Sequence, residues 1–321
     1  MQEWDQGNPL NNIENNKNNH KTSLLYTNSK IDLEIFKGFT AGVNLFKQRK
    51  SEDISEFRAS TTQGGRQDMG YARRENRVWD KDLMELTLNY SKTFGKNDLK
   101  LLGGYSYENN LYQSVGASNR GFISDDFEFN NLGLGENLFS NDVNSYKSRN
   151  KLISFFGRIN YSLSGKYILT ATIRKDGSSK FGTNHKWGYF PSISGAWRIS
   201  DESFVQKLSF ISDMKLRVGY GVVGNQEGID PYKSLALYGR GDEYFDNGKW
   251  HNTYRYAQND NPDLRWEQTA SFNTGIDFGL YNNRLTGSVD YYVKKRAIYY
   301  MYIMFLYHPI CTQQCLPMLV I

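Results

Sequence analysis

The chain has 321 residues, and its 39 Lys and Arg against 34 Asp and Glu give a formal net charge of +5 at pH 7. An aromatic content of 15% excludes bulk disorder, because disordered chains are poor in aromatic residues. The basic residues are spread thinly, which argues against a nucleic-acid partner, and a mean hydropathy of −0.65 excludes a multi-helix membrane protein.

The first residues are polar and rich in asparagine. Seven Asn lie between Asn8 and Asn19, and the start lacks the basic, apolar and small-residue regions of a signal peptide. We therefore expect residues 1–19 to form a loop-like start, either of a cytosolic protein or of an internal piece of a longer precursor.

Alternating polar and apolar residues recur along the chain and predict antiparallel strands in pairs. The twenty-nine Gly suit the turns between such strands. In chain order the alternation predicts five pairs: 31–35 with 39–45, 84–90 with 99–107, 153–163 with 167–173, 189–199 with 214–222, and 266–280 with 285–293.

The connections between these strands alternate between short and long. Tight turns, and one short capped helix expected at Asp201–Ser209, alternate with four long polar loops. The predicted loops lie at 50–77, 113–147, 176–187 and 224–263.

This arrangement indicates an all-β fold that forms part of an antiparallel transmembrane β-barrel. Globular strands usually hold ~5 to 6 residues, a tilted membrane-spanning strand needs ~9 to 11, and most of the predicted strands are of the longer kind. Outer-membrane barrels also have short turns on one rim and long loops on the other. Met84, Leu86, Leu88 and Tyr90 would form a lipid-facing row. A soluble β-sandwich or propeller remains the alternative.

Three local sequence patterns could indicate a nucleotide-binding, catalytic or metal-binding site. Gly219, Gly221 and Gly224 spell G-x-G-x-x-G, but no helix is expected after them to hold a dinucleotide. The four His are scattered and no G-x-S-x-G motif occurs, so we predict no catalytic site, with a barrel hydrolase as the less favoured reading. The acidic run at 125–128 lacks the spacing of a calcium loop, so no metal or cofactor is expected.

The 224–263 loop combines aromatic, amide and acidic side chains. Such a mixture could stack on sugar-like ligands and form hydrogen bonds with them, whereas ordinary loop packing is the alternative. The candidate substrate-binding residues are Tyr244, Trp250, Tyr254 and Tyr256.

Four stretches resemble one known family. They read RKDGSSKFG at 174–182, KWGYFPSISGAWRIS at 186–200, ISDMKLRVGYGVVGNQ at 211–226, and NPDLRWEQTASFNTGIDFGLYNNRLTGSVDYYVKK at 261–295. Their order and spacing resemble the barrel of SusC/RagA-type TonB-linked outer-membrane receptors over residues 20–296.

The resemblance implies a 22-stranded barrel in the outer membrane of Bacteroidetes-type bacteria. Such barrels contain an N-terminal plug, are energised by TonB, and import glycans or peptides beneath a SusD-like lipoprotein. The matching stretches are barrel and loop signatures, so the resemblance assigns no ligand-binding residue.

The two ends of the chain depart from this family pattern. No plug or TonB box is recognisable before residue 20, and residues 297–321 form an aberrant apolar tail in which Cys311 and Cys315 make no disulfide framework. We therefore expect a partial barrel at 20–296, from a truncated or frame-shifted reading frame, that cannot perform active uptake by itself. A soluble glycan-binding β-domain or a small independent barrel are the alternatives.

Overall fold

The computed structural model describes residues 8–297. Ten antiparallel strands form one sheet in the order β1-β2-β3-β4-β5-β6-β7-β8-β11-β12, and β9 pairs with β10 in a separate hairpin. The strands are β1 (Lys17–Phe36), β2 (Phe39–Arg58), β3 (Tyr71–Phe94), β4 (Asn97–Arg120), β5 (Val143–Leu163), β6 (Tyr167–Ser178), β7 (Trp187–Arg198), β8 (Ile211–Asn225), β9 (Leu237–Asp246), β10 (Lys249–Gln258), β11 (Glu267–Leu280) and β12 (Leu285–Ala297).

This sheet confirms the antiparallel barrel wall and all five predicted strand pairs. Within the described residues the wall is not closed, because β1 and β12 each pair on one side only. Period-two alternation sets the register: Leu88 lies opposite Ala41 and Gly103, so apolar residues meet across neighbouring strands on one face.

The short turns place the strands in register at one rim. Ser164 and Gly165 join β5 to β6 with φ of 55° and 68°, the positive values that a tight hairpin turn requires. Among residues 8–297, no helix is long and apolar enough to cross a membrane.

The loop boundaries predicted from the sequence were wrong on the long-loop rim. Strands β2 to β5 continue well past the apolar alternation, so the first two long loops shrink to 59–70 and 121–142. Charged and polar residues occur on both faces of these strands there, which hid the strand pattern. The 224–263 region also contains the β9–β10 hairpin, which was predicted as loop.

Two smaller elements also differ from expectation. The helix expected at Asp201–Ser209 is absent; a 3₁₀ turn at Ile199–Asp201 is followed by turns. Near the start, Asn8 caps a short helix α1 (Pro9–Asn15), and β1 begins at Lys17 rather than after a loop. The division into 1–19, 20–296 and 297–321 stays a prediction, and the predicted tail lies outside the described residues except for Ala297.

Two buried clusters lie at the long-loop rim. The first contains Phe181, Phe190, Ile229, Leu264 and Trp266, and the second contains Phe57, Ala59, Ala72 and Phe122. Both are built where loops fold back against the strand ends.

Candidate functional site

The two faces of the ten-stranded sheet differ in polarity. We call the face that carries Leu88 the outer face; Leu88 is 52% exposed. Aliphatic and aromatic side chains continue along this face from β1 to β12, which is the pattern of a surface covered by lipid. Exposed members include Ile31, Leu33, Val43, Leu45, Leu86, Phe155, Ile159, Ile173, Ile193, Val218, Tyr220, Phe272, Val289 and Tyr291.

The opposite, inner face is lined by polar side chains that bind one another. Arg217 Nη2 donates to Asp277 Oδ1 at 2.6 Å and to Asp290 Oδ1 at 3.0 Å, so one guanidinium joins β8, β11 and β12. Arg174 Nη2 donates to Ser154 Oγ at 2.8 Å. The Arg217 pairs neutralise charges on a face that would line the barrel lumen.

The outer face changes from apolar to charged between two neighbouring cross-strand rows. Leu45, Met84, Tyr107 and Ile153 lie in register, and Lys47, Asp82, Asn109 and Lys151 occupy the next outward-facing row towards the loops. Lys47 Nζ lies 3.3 Å from Asp82 Oδ1. We call the part of the sheet on the turn side of this change the lower section, and the part on the loop side the upper section.

The β9–β10 hairpin brings three of the four predicted substrate-binding residues to one side. Trp250 lies opposite Phe245, Tyr254 opposite Arg240 and Tyr256 opposite Tyr238, all on one face of the hairpin. Tyr244 lies on the other face, where its ring stacks on His251 with centroids 5.3 Å apart. The four candidates are 52% to 78% exposed.

A second aromatic group was missed by sequence reasoning. Trp79, Tyr112 and Tyr146 lie on the inner face of the upper section, on β3, β4 and β5, and we call them the aromatic strip. The ring centroids of Trp79 and Tyr112 are 5.1 Å apart, and those of Tyr112 and Tyr146 are 6.0 Å apart. Tyr112 lies directly before the predicted 113–147 loop and Tyr146 lies within it, because polar residues surround both in the sequence.

The loops of this rim are fixed by buried polar contacts. The Asp142 carboxylate accepts hydrogen bonds from Phe139 N at 2.7 Å, Ser118 Oγ at 2.8 Å and Arg120 Nη1 at 2.7 Å. Burial acts to raise the pKa of Asp142, but these three donors outweigh it and hold the pKa below its ordinary value. Burial lowers the pKa of Lys180, at the first buried cluster, against the opposing charges of Asp230 and Glu227.

The G-x-G-x-x-G glycines and the acidic run at 125–128 have structural roles. Gly219 and Gly221 face inward on β8, which ends at Asn225 with no helix directly after it, and a Cβ at Gly219 would lie 2.7 Å from Asn273 Oδ1. Asp125 accepts hydrogen bonds from Ser60 N and Oγ, so it joins two loops. No cluster of three metal-ligating side chains occurs within residues 8–297.

An antiparallel wall with one apolar and one polar face is the wall of a transmembrane β-barrel. The chain belongs to the TonB-dependent receptor β-barrel family, described as "TonB dependent receptor-like, beta-barrel", whose model matches residues 2–299. Within this family it is of the SusC/RagA type, as the sequence stretches indicated. The family comprises receptors and transporters rather than enzymes.

Named relatives support this assignment. The TonB-dependent receptor P3 of Formosa agariphila is 35% identical over 77% of this chain and 24% of its own length. The TonB-dependent receptor SusC of Bacteroides thetaiotaomicron is 35% identical over 68% of this chain and 22% of its own length. The RagAB peptide transporter structure superposes with a TM-score of 0.78 and 26% identity, covering 88% of this chain and 31% of that one. The chain thus spans about a quarter of the length of the curated relatives it matches.

Proposed function

We propose that this chain forms part of the barrel wall of an outer-membrane importer of glycans or peptides in a Bacteroidetes-type bacterium. In this proposal a SusD-like lipoprotein covers the barrel mouth and TonB supplies the energy for uptake. The observation that carries the proposal is the ten-stranded wall, whose outer face is apolar in the lower section from β1 to β12 and whose inner face is polar.

The comparisons support the transport class. SusC and the RagAB peptide transporter, which resemble this chain over most of its length, are a TonB-dependent receptor and a peptide transporter by name. Sources of the relatives, Bacteroides and Formosa, support the Bacteroidetes-type outer membrane as the location.

The wall needs further strands before it can enclose a lumen. Unpaired N–H and C=O groups along β1 and β12 would be costly in the hydrocarbon region, where no water can satisfy them. We infer that strands beyond β1 and β12 complete the barrel around the inner face.

The hairpin supplies a candidate first contact for substrate. Trp250, Tyr254 and Tyr256 present one exposed aromatic face at the long-loop rim, and aromatic rings can stack on sugar rings or pack on peptide side chains. Tyr244 faces away from them and would contact a different part of the ligand or the lipoprotein partner.

Uptake by the native host tests the proposed function. A strain that lacks the gene should lose uptake of either fluorescently labelled oligosaccharides or labelled oligopeptides, and a protonophore should abolish the same uptake in the parent strain. Cell fractionation should place the protein in the outer membrane. Uptake that survives both deletion and protonophore, or a protein found in the soluble fraction, would contradict the proposal.

A further inference from the structure

The aromatic strip lies at the mouth of the wall, on its inner face. Trp79 is five residues above Met84, whose row marks the top of the lower section on β3, which is ~17 Å along the strand. A molecule that moves from the loop rim into the lumen would therefore pass the strip before it reaches the lower section.

A shallow cavity of about 460 Å³ opens over Trp79 and Tyr112 of the strip. Its wall combines Trp79 and Tyr112 with amide and hydroxyl groups of neighbouring strands. The amides of Gln48 and Asn150 make no side-chain hydrogen bond within residues 8–297, so their donors and acceptors are available to a ligand. The polar residues that line the cavity on the inner face are Gln48, Lys50, Lys81, Asn110, Ser148 and Asn150.

The cations beside the strip are already neutralised. Lys50 Nζ pairs with Glu52 and lies 4.7 Å from the centre of the Trp79 ring. Lys81 Nζ lies 2.9 Å from Glu108 Oε2. A ligand with a net charge would have to disrupt these pairs, whereas a neutral ligand leaves them intact.

The backbone around the strip offers no place for a peptide to add as a strand. At this level β3 pairs with both β2 and β4, and β4 pairs with both β3 and β5, so their backbone groups are occupied. Strand addition needs a free sheet edge. The aromatic surface with free amides instead fits sugar rings, whose C–H faces pack on aromatic rings while their hydroxyls form hydrogen bonds.

We propose that the aromatic strip of Trp79, Tyr112 and Tyr146 is a binding subsite for a neutral oligosaccharide at the mouth of the barrel. The proposal rests on the proposed function, because only an importer brings such a ligand to the inner face. It selects glycan over peptide as the substrate class at this subsite.

Binding to the purified protein tests the subsite independently of uptake. The protein is extracted from outer membranes, and calorimetry measures its affinity for maltoheptaose, cellohexaose and xylohexaose, with trigalacturonate and an octapeptide mixture as other probes. At least one neutral sugar should bind, and Trp79→Ala should raise its dissociation constant about tenfold, as expected for a central aromatic contact. Tyr112→Ala should also weaken binding, and Trp79→Phe should restore most of it.

Tyr105→Ala is the matched control, because Tyr105 lies on the same strand as Tyr112 but on the outer face. It should leave the affinity unchanged, and heat-modifiable gel migration should show that each variant is folded. Equal affinity of the wild type and the folded Trp79→Ala and Tyr112→Ala variants would overturn the subsite, as would binding of the peptide mixture or trigalacturonate alone. Those results would leave the proposed import function intact. Uptake that survives deletion of the gene would instead overturn the import function, and sugar binding to the purified protein would still decide whether the subsite exists.

Discussion

The lower and upper sections of the sheet use the same strands but cover their apolar side chains differently. In the lower section the outer face is exposed, and lipid must cover residues such as Leu88 and Ile173. In the rim above, loops fold back and bury apolar residues such as Leu264 and Phe57, which are 1% and 3% exposed. Within residues 8–297, every buried apolar residue except Val205 lies near the loop rim, at the loop ends of strands or in the loops beside them, with Phe190 three residues to the turn side of the dividing row. The comparison teaches that the turn side of this wall depends on surrounding lipid to cover its apolar side chains, whereas the loop side has a buried core of its own.

The largest effect should come from the core of the loop rim. Trp266 is 5% exposed, its ring centroid lies 4.6 Å from that of Phe181, and its Nε1 donates to Lys186 O. Trp266→Ala should lower the free energy of unfolding by ~3 to 5 kcal/mol, because a large cavity remains. Urea unfolding of the protein in lipid vesicles measures this.

Trp250→Ala is the matched control for that measurement. Trp250 is 68% exposed, so its removal should change the free energy of unfolding by no more than ~0.5 kcal/mol. Equal effects of the two substitutions would mean that the rim has no core of its own, which would remove the distinction between the sections.

The second effect tests the lipid-covered section. Leu88→Arg places a charge on the outer face and should cost ~2 to 4 kcal/mol near a bilayer midplane. Leu111→Arg makes the same exchange on the outer face of the upper section, opposite Asp80 and Arg149, and should cost far less. The yield of heat-modifiable protein in isolated outer membranes compares the two variants. If Leu88→Arg assembles as well as Leu111→Arg, the apolar band is not in lipid.

A third prediction uses pH at the loop rim. The pKa of Asp142 is held below its ordinary value, so its ionised form stabilises the fold above that value, and the contribution is lost as the pH falls through the lowered pKa. Asp142→Asn should lower the stability at neutral pH by ~1 to 3 kcal/mol, because hydrogen bonds to a buried charge are lost. The acid-induced loss of stability below pH ~4 should become shallower in the variant. An unchanged acid slope would assign that loss to other carboxylates.

The smallest effect is expected at the turn rim. Gly165 has φ of 68° and open space around its Cβ position, so Gly165→Ala should cost ~1 kcal/mol through backbone strain alone. Gly103 also has open space but lies in β4 without a positive φ, and Gly103→Ala should be neutral or slightly stabilising. Thermal unfolding of the two variants gives the difference, and a costly Gly103→Ala would show that packing rather than backbone conformation limits this section.

In the lower section, much of the fold could be predicted from the sequence. There, apolar and polar residues alternate strictly, as at Met84, Leu86 and Leu88, so strand existence, pairing and facing follow from the sequence. Sequence reasoning failed where that contrast ends. Residues 71–82 carry charges on both faces, and only the pairing with β2 and β4 shows that they continue the strand.

The candidate sites divide in the same way. Composition singled out the aromatic residues of the 224–263 loop, but hairpin register alone separates Tyr244 from Trp250, Tyr254 and Tyr256. The aromatic strip has no sequence signature, because Trp79, Tyr112 and Tyr146 come from three strands.

The sequence by itself determined an alternating, antiparallel wall, because side-chain polarity of period two is a local property of each strand. The TonB-linked receptor family was indicated separately, by the resemblance of four sequence stretches. Tertiary structure alone decided how far the strands extend, which loops bury a core, and which aromatic rings meet on the inner face. These features depend on partners that are distant in the chain, such as Trp79 and Tyr112, and cross-strand register rather than neighbouring residues brings such partners together.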